Sequence, residues 1–178
     1  EHCIQEMENN NITNYERFSA IKPDINDYPK EYYNRFVCPK RDPRYKIGAL
    51  GCKLSHYNII KLSKERNYKN ILILEDDFIF QDNINQKVET VLKELDFEWH
   101  MLYLGGNHEI KPEKIENKNY LFKSIKTYTT HAYSMNNKLF DLCLKMLNEC
   151  GTEIDVFYSK LQKKFKIYSI YPSLILQK

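Results

Sequence analysis

The feature that most constrains the fold is a short apolar run that leads directly into three acidic residues. Positions 71–74 read Ile-Leu-Ile-Leu, and positions 75–77 read Glu-Asp-Asp. A run that is apolar at every position is typical of a strand whose two faces are both covered, as in α/β sheets. Ligands of such sheets gather beyond the carboxyl ends of the strands. The acidic triplet therefore lies where a binding site is expected.

The triplet offers carboxylates on two sides of the chain. Because side chains alternate along an extended strand, Glu75 and Asp77 are expected to point the same way and Asp76 the opposite way. Two carboxylates on one side can hold Mg²⁺ or Mn²⁺, which can in turn bridge a diphosphate. The alternative interpretation is a solvated strand end with an acidic cap.

The rest of the chain predicts helices and strands in alternation. Apolar residues at helical or strand spacing mark each element, and polar residues or prolines separate the elements. The predicted helices cover residues 1–8, 48–65, 82–95, 153–163 and a segment that starts at 137. The predicted strands cover residues 71–74, 99–104, 166–171 and one or two segments within 120–134. This order predicts one α/β domain over the whole chain of 178 residues.

Three local details are also expected. Ile4 and Met7 should face the core from the first helix, and Gly105-Gly106 should end the second strand. Residues 22–46 contain four of the six prolines and many tyrosines, so they are predicted to form a long ordered loop.

Charge and cysteine usage exclude several classes of protein. The formal net charge of +3 is too small for a dedicated nucleic-acid surface. Five cysteines without a C-x-x-C pair predict reduced thiols rather than a zinc site or a complete disulfide framework. The alternative is a single disulfide bridge that involves Cys38. No apolar stretch approaches the ~20 residues of a membrane span. The first residues also contain no signal peptide, so the expected location is the cytoplasm, or the virion and host cytoplasm for a viral protein.

Outside the triplet, a few residues are candidates for a site. Gly48 and Gly51 open the predicted helix that carries His56, and free N–H groups there favour an anion; the alternative is ordinary packing. His131 is either a ligand or substrate contact or an ordinary strand residue. Asp155 opens a late helix, where it is either a partner of the helix dipole or a general base aimed at an acceptor hydroxyl.

Taken together, these segments resemble glycosyltransferase family 25, which includes bacterial lipooligosaccharide galactosyltransferases, collagen galactosyltransferases and homologues in large viruses. Frequent Lys, Asn, Ile and Tyr are typical of AT-rich genomes, such as those of large DNA viruses or some bacteria. The resemblance covers nearly the whole chain and is carried by motifs in the family's order: residues 15–21, Gly48-x-x-Gly51-Cys52-x-x-Ser55-His56, residues 74–77, Trp99 with residues 102–105, residues 130–133, Ile154-Asp155, and Tyr171-Pro172 with Gln177.

The resemblance implies a GT-A-like nucleotide-sugar transferase fold with a mixed, mainly parallel central sheet. It implies transfer of a sugar, usually galactose, from a UDP-sugar to a hydroxyl of a glycan or protein acceptor, with inversion. Glu75, Asp76 and Asp77 would form a D-x-D-like motif in the donor site, with Asp77 and Glu75 as ligands of Mn²⁺ or Mg²⁺.

Further roles follow from the same resemblance. Asp155 would be the catalytic base that accepts the proton of the acceptor hydroxyl. Ser55 and His56 would line or brace the donor site, and His131 would contact the donor.

The sequence departs from the family pattern in two places. Thr129 stands where the family has glycine, so the local backbone is expected to differ. Family members begin with a strand that carries part of the uracil and ribose site, whereas this chain begins in the helix that follows it. Either the sequence is incomplete at this end or the protein lacks part of the donor pocket. The main alternative is therefore an inactive sugar- or partner-binding relative, and a metal-dependent phosphoryl-transfer enzyme would rest on the triplet alone.

Overall fold

The computed structural model describes residues 1–36 and 42–178. The helices are α1 His2–Asn9, α2 Pro43–Glu65, α3 Ile84–Glu94, α4 Phe140–Glu149 and α5 Ile154–Leu161, with short 3₁₀ turns at Ile25–Asp27, Lys30–Tyr32 and Asn137–Leu139. The strands are β1 Asn70–Leu74, β2 Phe78–Phe80, β3 Met101–Ile110, β4 Glu113–Lys114, β5 Leu121–Lys123, β6 Lys126–Asn136, β7 Ile167–Ile170 and β8 Ile175–Gln177. This order confirms the α/β class predicted from the sequence.

Six of the strands form one mixed sheet in the order β1-β6-β3-β7-β5-β4, and β2 pairs with β8 in a separate ribbon. Only β3 and β7 pair in parallel among the described residues. The mixed sheet is therefore confirmed, but the expectation that it is mainly parallel is wrong. The reason is that β6 runs antiparallel between β1 and β3, which both point in the opposite direction.

Strand β1 differs from the central strand expected of a wholly apolar run. It lies at one edge of the described sheet, and Leu72 is 52% exposed. Ile71 and Ile73 point the other way and are buried against the helices. The expectation of two covered faces is therefore wrong at Leu72, although Leu74 on the same face is half-buried against the second hydrophobic cluster.

Packing on the two faces of the sheet produces two hydrophobic clusters. Alternate residues of β3 divide between them: Tyr103 packs with α2, α4 and α5 on one face, whereas Leu102 and Leu104 pack with α1, α3 and β8 on the other. The sheet thus separates two layers of helix. In this arrangement the carboxyl end of β1 lies beside both helix α2 and strand β6.

Several local expectations are corrected by the structure. Met7 is buried as expected, but Ile4 is 49% exposed. Gly105-Gly106 lies inside β3 and does not end it. A side chain at Gly105 would collide with the backbone of Ile175 and the ring of His131. The glycine allows this close approach.

Residues 15–21, whose sequence is similar to an early strand of the family that the chain resembles, do not form a strand. Residues 12–24 form neither helix nor strand, although Ile21 is bonded to α2. Residues 22–36 form a loop with two 3₁₀ turns, and α2 begins at Pro43, inside the stretch predicted to be loop. Cys38 lies outside the described residues. None of the helices in the described ranges combines the length and apolar character that a membrane crossing requires.

Candidate functional site

The acidic triplet follows β1, but its three side chains do not alternate as in a strand. Residues 76 and 77 form a turn, so the alternation expected for Glu75 and Asp77 does not hold. Glu75 contacts α2 and β6, whereas Asp77 contacts Gln177 of β8. Asp76 is exposed, and its carbonyl accepts a weak bond from the Cys3 thiol at 3.2 Å.

Glu75 is the centre of a hydrogen-bond network. Its Oε1 accepts bonds from His56 Nε2 at 3.0 Å and from Thr130 Oγ1 at 2.5 Å, and the Cys52 thiol lies at 3.8 Å from the same oxygen. The backbone N–H of Glu75 donates to the carbonyl of His131 at 2.9 Å. Burial raises the pKa of Glu75, but the hydrogen bonds from His56 and Thr130 and the charge of His56 outweigh it and hold the pKa below 4.5.

His56 connects this network to the interior of the protein. The ring is buried on α2, stacks on Tyr133, and has Nδ1 at 2.8 Å from the Tyr133 hydroxyl. That hydroxyl lies at 3.2 Å from the hydroxyl of Tyr158 on α5. Burial raises the pKa of both tyrosines well above 10, so both hydroxyls stay protonated. The chain of contacts fixes the His56 ring, and therefore fixes the direction in which it meets Glu75.

Asp77 has a different environment from Glu75. Its Oδ2 accepts a bond from Gln177 Nε2 at 2.8 Å, and its carbonyl accepts one from the Lys178 N–H at 2.8 Å. Its Oδ1 is buried and has no hydrogen-bond partner among the described residues. A carboxylate oxygen removed from water without a partner is costly. A divalent cation is one partner that satisfies such an oxygen, so Asp77 fits the metal-ligand role expected from the sequence.

Asp155 lies in the first turn of α5, as the sequence predicts, and is half-buried. Its Oδ1 accepts the N–H of Val156 at 2.7 Å. Burial, with smaller contributions from Glu75 and Asp155, raises the pKa of the Cys52 thiol to about 12. Helix α5 borders the Glu75 network, because its Tyr158 hydroxyl lies at 3.2 Å from the Tyr133 hydroxyl.

Ser55 and His131 are buried and make framework contacts. Ser55 Oγ donates to the Gly51 carbonyl at 2.7 Å and accepts the N–H of Ile21 at 2.9 Å, which ties the N-terminal segment to α2. The His131 ring lies between Thr129 Oγ1 at 3.0 Å and the Ile175 carbonyl at 3.2 Å. A direct contact of either side chain with a sugar donor stays a prediction.

Thr129 adopts a left-handed conformation, with φ of 68°. This is the conformation that a glycine adopts without strain and that a β-branched residue rarely adopts. The expected difference in backbone from the family stays a prediction. The hydroxyl of Thr129 contacts the His131 ring, which helps to hold the strained position.

Sequence reasoning missed Thr130, Tyr133 and Cys52 as members of the Glu75 network. The signal for Cys52 was present, since it lies four residues before His56 on the same face of a helix. Thr130 could be found only from the β1–β6 pairing, in which Leu74 lies opposite Ala132. That pairing joins segments far apart in the sequence, so no local pattern indicates it.

Comparison with known proteins identifies the class to which this fold and acidic strand end belong. The model of glycosyltransferase family 25, described as LPS biosynthesis protein, matches residues 1–158. The chain therefore belongs to glycosyltransferase family 25.

Curated relatives include both enzymes and proteins named as inactive. The chain is 41% identical over 61 residues to procollagen galactosyltransferase 1-B of Xenopus laevis, across 33% of this chain and 10% of that protein. It is 32% identical over 94 residues to inactive glycosyltransferase 25 family member 3 of Homo sapiens, across 49% of this chain and 16% of that protein. It is 33% identical over 107 residues to a glycosyltransferase 25 family member of Anopheles gambiae, across 56% of this chain and 18% of that protein. The matches thus span less than a fifth of these relatives.

Proposed function

We propose that the chain carries the catalytic site of a metal-dependent, inverting glycosyltransferase. The proposed enzyme transfers a sugar, with galactose as the expected one, from a UDP-sugar to a hydroxyl of a glycan or protein acceptor. The observation that carries this proposal is the buried Oδ1 of Asp77 just after β1, which has no hydrogen-bond partner in residues 1–36 and 42–178, in a chain of glycosyltransferase family 25. An oxygen in this state is suited to a divalent cation, which can in turn bind a diphosphate.

Asp77 would hold Mn²⁺ or Mg²⁺. Glu75, the second ligand expected from the sequence, instead contacts α2 and β6, away from the Asp77 side chain. All bonds that Glu75 accepts from described residues go to Oε1, and His56 and Thr130 keep the carboxylate in place. A bound divalent ion supplies Lewis-acid stabilisation of the departing UDP diphosphate. Gln177 holds the other oxygen of Asp77 and so orients the carboxylate.

Asp155 would accept the proton of the acceptor hydroxyl as it attacks the sugar. The bond from Val156 to Oδ1 fixes the carboxylate at the start of α5, and the second oxygen, Oδ2, is the one proposed to act as base. Ser55 and His131 would brace the donor site through the contacts described above, while His56 positions Glu75.

A second candidate function is an inactive relative that binds a sugar or a protein partner. The observation that favours it is the alignment of about half of this chain with relatives named as inactive. An active enzyme and an inactive relative would share this fold and differ in whether they turn over the UDP-sugar. UDP binding without turnover would support the inactive relative.

The test is Mn²⁺-dependent hydrolysis of UDP-galactose by the full-length protein, with UDP binding measured in parallel. Asp77→Asn should lower turnover by about 100-fold or more, since the metal contributes several kcal/mol of charge stabilisation. Asp155→Asn should lower turnover by about 10²–10⁴-fold with UDP binding retained. Asp141→Asn is the matched control, because this exposed aspartate pairs with Lys64 outside the site. A parent protein that shows no turnover and does not bind UDP would refute the proposed function.

A further inference from the structure

A second, chemically different group of ligands lies beside the acidic triplet. Cys52 and His56 are one turn apart on α2, and Glu75 follows β1. Their Sγ, nitrogen and carboxylate oxygen atoms all lie within 4.8 Å of one another, the one such group of three found in residues 1–36 and 42–178. We propose that Cys52, His56 and Glu75 bind a zinc ion. The proposal is independent of the transferase activity.

The spacing of the ligand atoms is close to that of a tetrahedral zinc site. With Zn–S of about 2.3 Å and Zn–N and Zn–O of about 2.0 Å, the S···O edge of a tetrahedron is about 3.5 Å and the N···O edge about 3.3 Å. The distance from Cys52 Sγ to Glu75 Oε1 is 3.8 Å, and that from His56 Nε2 to the same oxygen is 3.0 Å. Both differ from the ideal edge by about 0.3 Å. The third edge, from Cys52 Sγ to the His56 nitrogen, lies within 4.8 Å against an ideal of about 3.5 Å, so side-chain shifts would complete the geometry.

The donor set selects the metal. A thiolate and an imidazole favour zinc over Mg²⁺ and Mn²⁺, which prefer oxygen ligands. Asp77 offers only oxygen ligands, so its site favours Mg²⁺ or Mn²⁺, whereas the group of Cys52, His56 and Glu75 favours zinc. Three protein ligands leave the fourth position of the zinc open to water or another ligand.

The groups around the three ligands also suit a metal. A histidine that binds zinc donates its other ring N–H to a neighbouring acceptor, which fixes the ring. The Tyr133 hydroxyl already lies at 2.8 Å from His56 Nδ1 and at 3.2 Å from Tyr158. Thr130 donates to the Glu75 oxygen and limits its rotation.

Zinc binding requires two proton movements, and both have an acceptor. The Cys52 thiol loses its proton to solvent as the Zn–S bond forms. His56 gives up the proton on Nε2 to solvent as the Zn–N bond forms, and the N–H on Nδ1 donates to the Tyr133 oxygen, whose own hydroxyl donates to Tyr158. No oxidant or reductant is needed. The proposed ligands come from a helix and a distant strand end, so the absence of a C-x-x-C pair does not count against this site.

The test is titration of the full-length protein with Co²⁺, whose thiolate complexes absorb in the near ultraviolet, followed by displacement with Zn²⁺. The parent should give a one-to-one cobalt–thiolate band that zinc abolishes. Cys52→Ser should lose the band, and Tyr133→Phe, which keeps the ring, should weaken metal affinity by about 10- to 100-fold. Cys150→Ser is the matched control, because this half-buried thiol lies outside the group.

Asp77→Asn separates this proposal from the proposed function. The variant should keep the cobalt–thiolate band whether or not the protein has transferase activity. Circular dichroism of each variant confirms that it is folded. A parent without the band, or a band that persists in folded Cys52→Ser, would overturn the zinc site.

Discussion

Two carboxylates at the end of β1 stand two residues apart and have opposite environments. Glu75 accepts bonds from His56 and Thr130, so the polypeptide itself satisfies its charge. Asp77 is held by Gln177 through one oxygen, and its other oxygen is buried without a partner among the described residues. The first carboxylate stabilises the fold as it stands. The second depends on a partner from outside the polypeptide, which is what a ligand site requires.

The largest expected effect tests the Glu75 side of this comparison. Glu75→Ala should lower the free energy of unfolding by about 2–3 kcal/mol, because His56 and Thr130 then lose a charged acceptor. The loss should be smaller than for a fully buried ion pair, since the Glu75 side chain is 25% exposed. Urea unfolding measures the change. Asp76→Ala is the control and should cost less than about 0.5 kcal/mol, since its side chain is exposed.

The pH dependence of the free energy of unfolding gives a second test of the Glu75 network. The pKa of Glu75 is lower in the folded protein than its ordinary value of 4.5. A carboxylate of this kind stabilises the fold above its unfolded pKa and loses that contribution as the pH falls through its folded pKa. The parent should therefore lose more stability than Glu75→Ala between about pH 6 and about pH 3. Equal losses in the two proteins would show that the network does not hold the charge of Glu75.

Asp77 should behave in the opposite way. In metal-free buffer Asp77→Asn should leave the free energy of unfolding unchanged or raise it by about 1 kcal/mol, because a buried charge without a partner is removed. Mn²⁺ should raise the melting temperature of the parent and not that of the variant, since an ion that binds only the folded state stabilises it. Differential scanning calorimetry with and without Mn²⁺ measures both. A variant as destabilised as Glu75→Ala would remove the distinction between the two carboxylates.

The sequence was sufficient for the positions of the site residues and insufficient for their orientation. The apolar run, the triplet and the Cys52–His56 helix were all predicted in the correct elements because each has a local pattern. The antiparallel entry of β6 between β1 and β3 has no such pattern, since it depends on pairing across about 60 residues. That pairing brings Thr130 to Glu75. The turn at residues 76 and 77 is what removes Asp77 from the side on which Glu75 points.

The smallest expected effect concerns the strand position that supports the Glu75 network. Thr129 holds a left-handed backbone just before Thr130 and His131, which bond the side chain and the N–H of Glu75. Thr129→Gly and Thr129→Ala both remove the hydroxyl, but only alanine keeps a Cβ in this conformation. Glycine should therefore be the more stable of the pair by about 1 kcal/mol in thermal or urea unfolding. At an ordinary strand position alanine would be the more stable instead. That order would mean that the backbone at residue 129 is not left-handed, and that the placement of Thr130 against Glu75 needs revision.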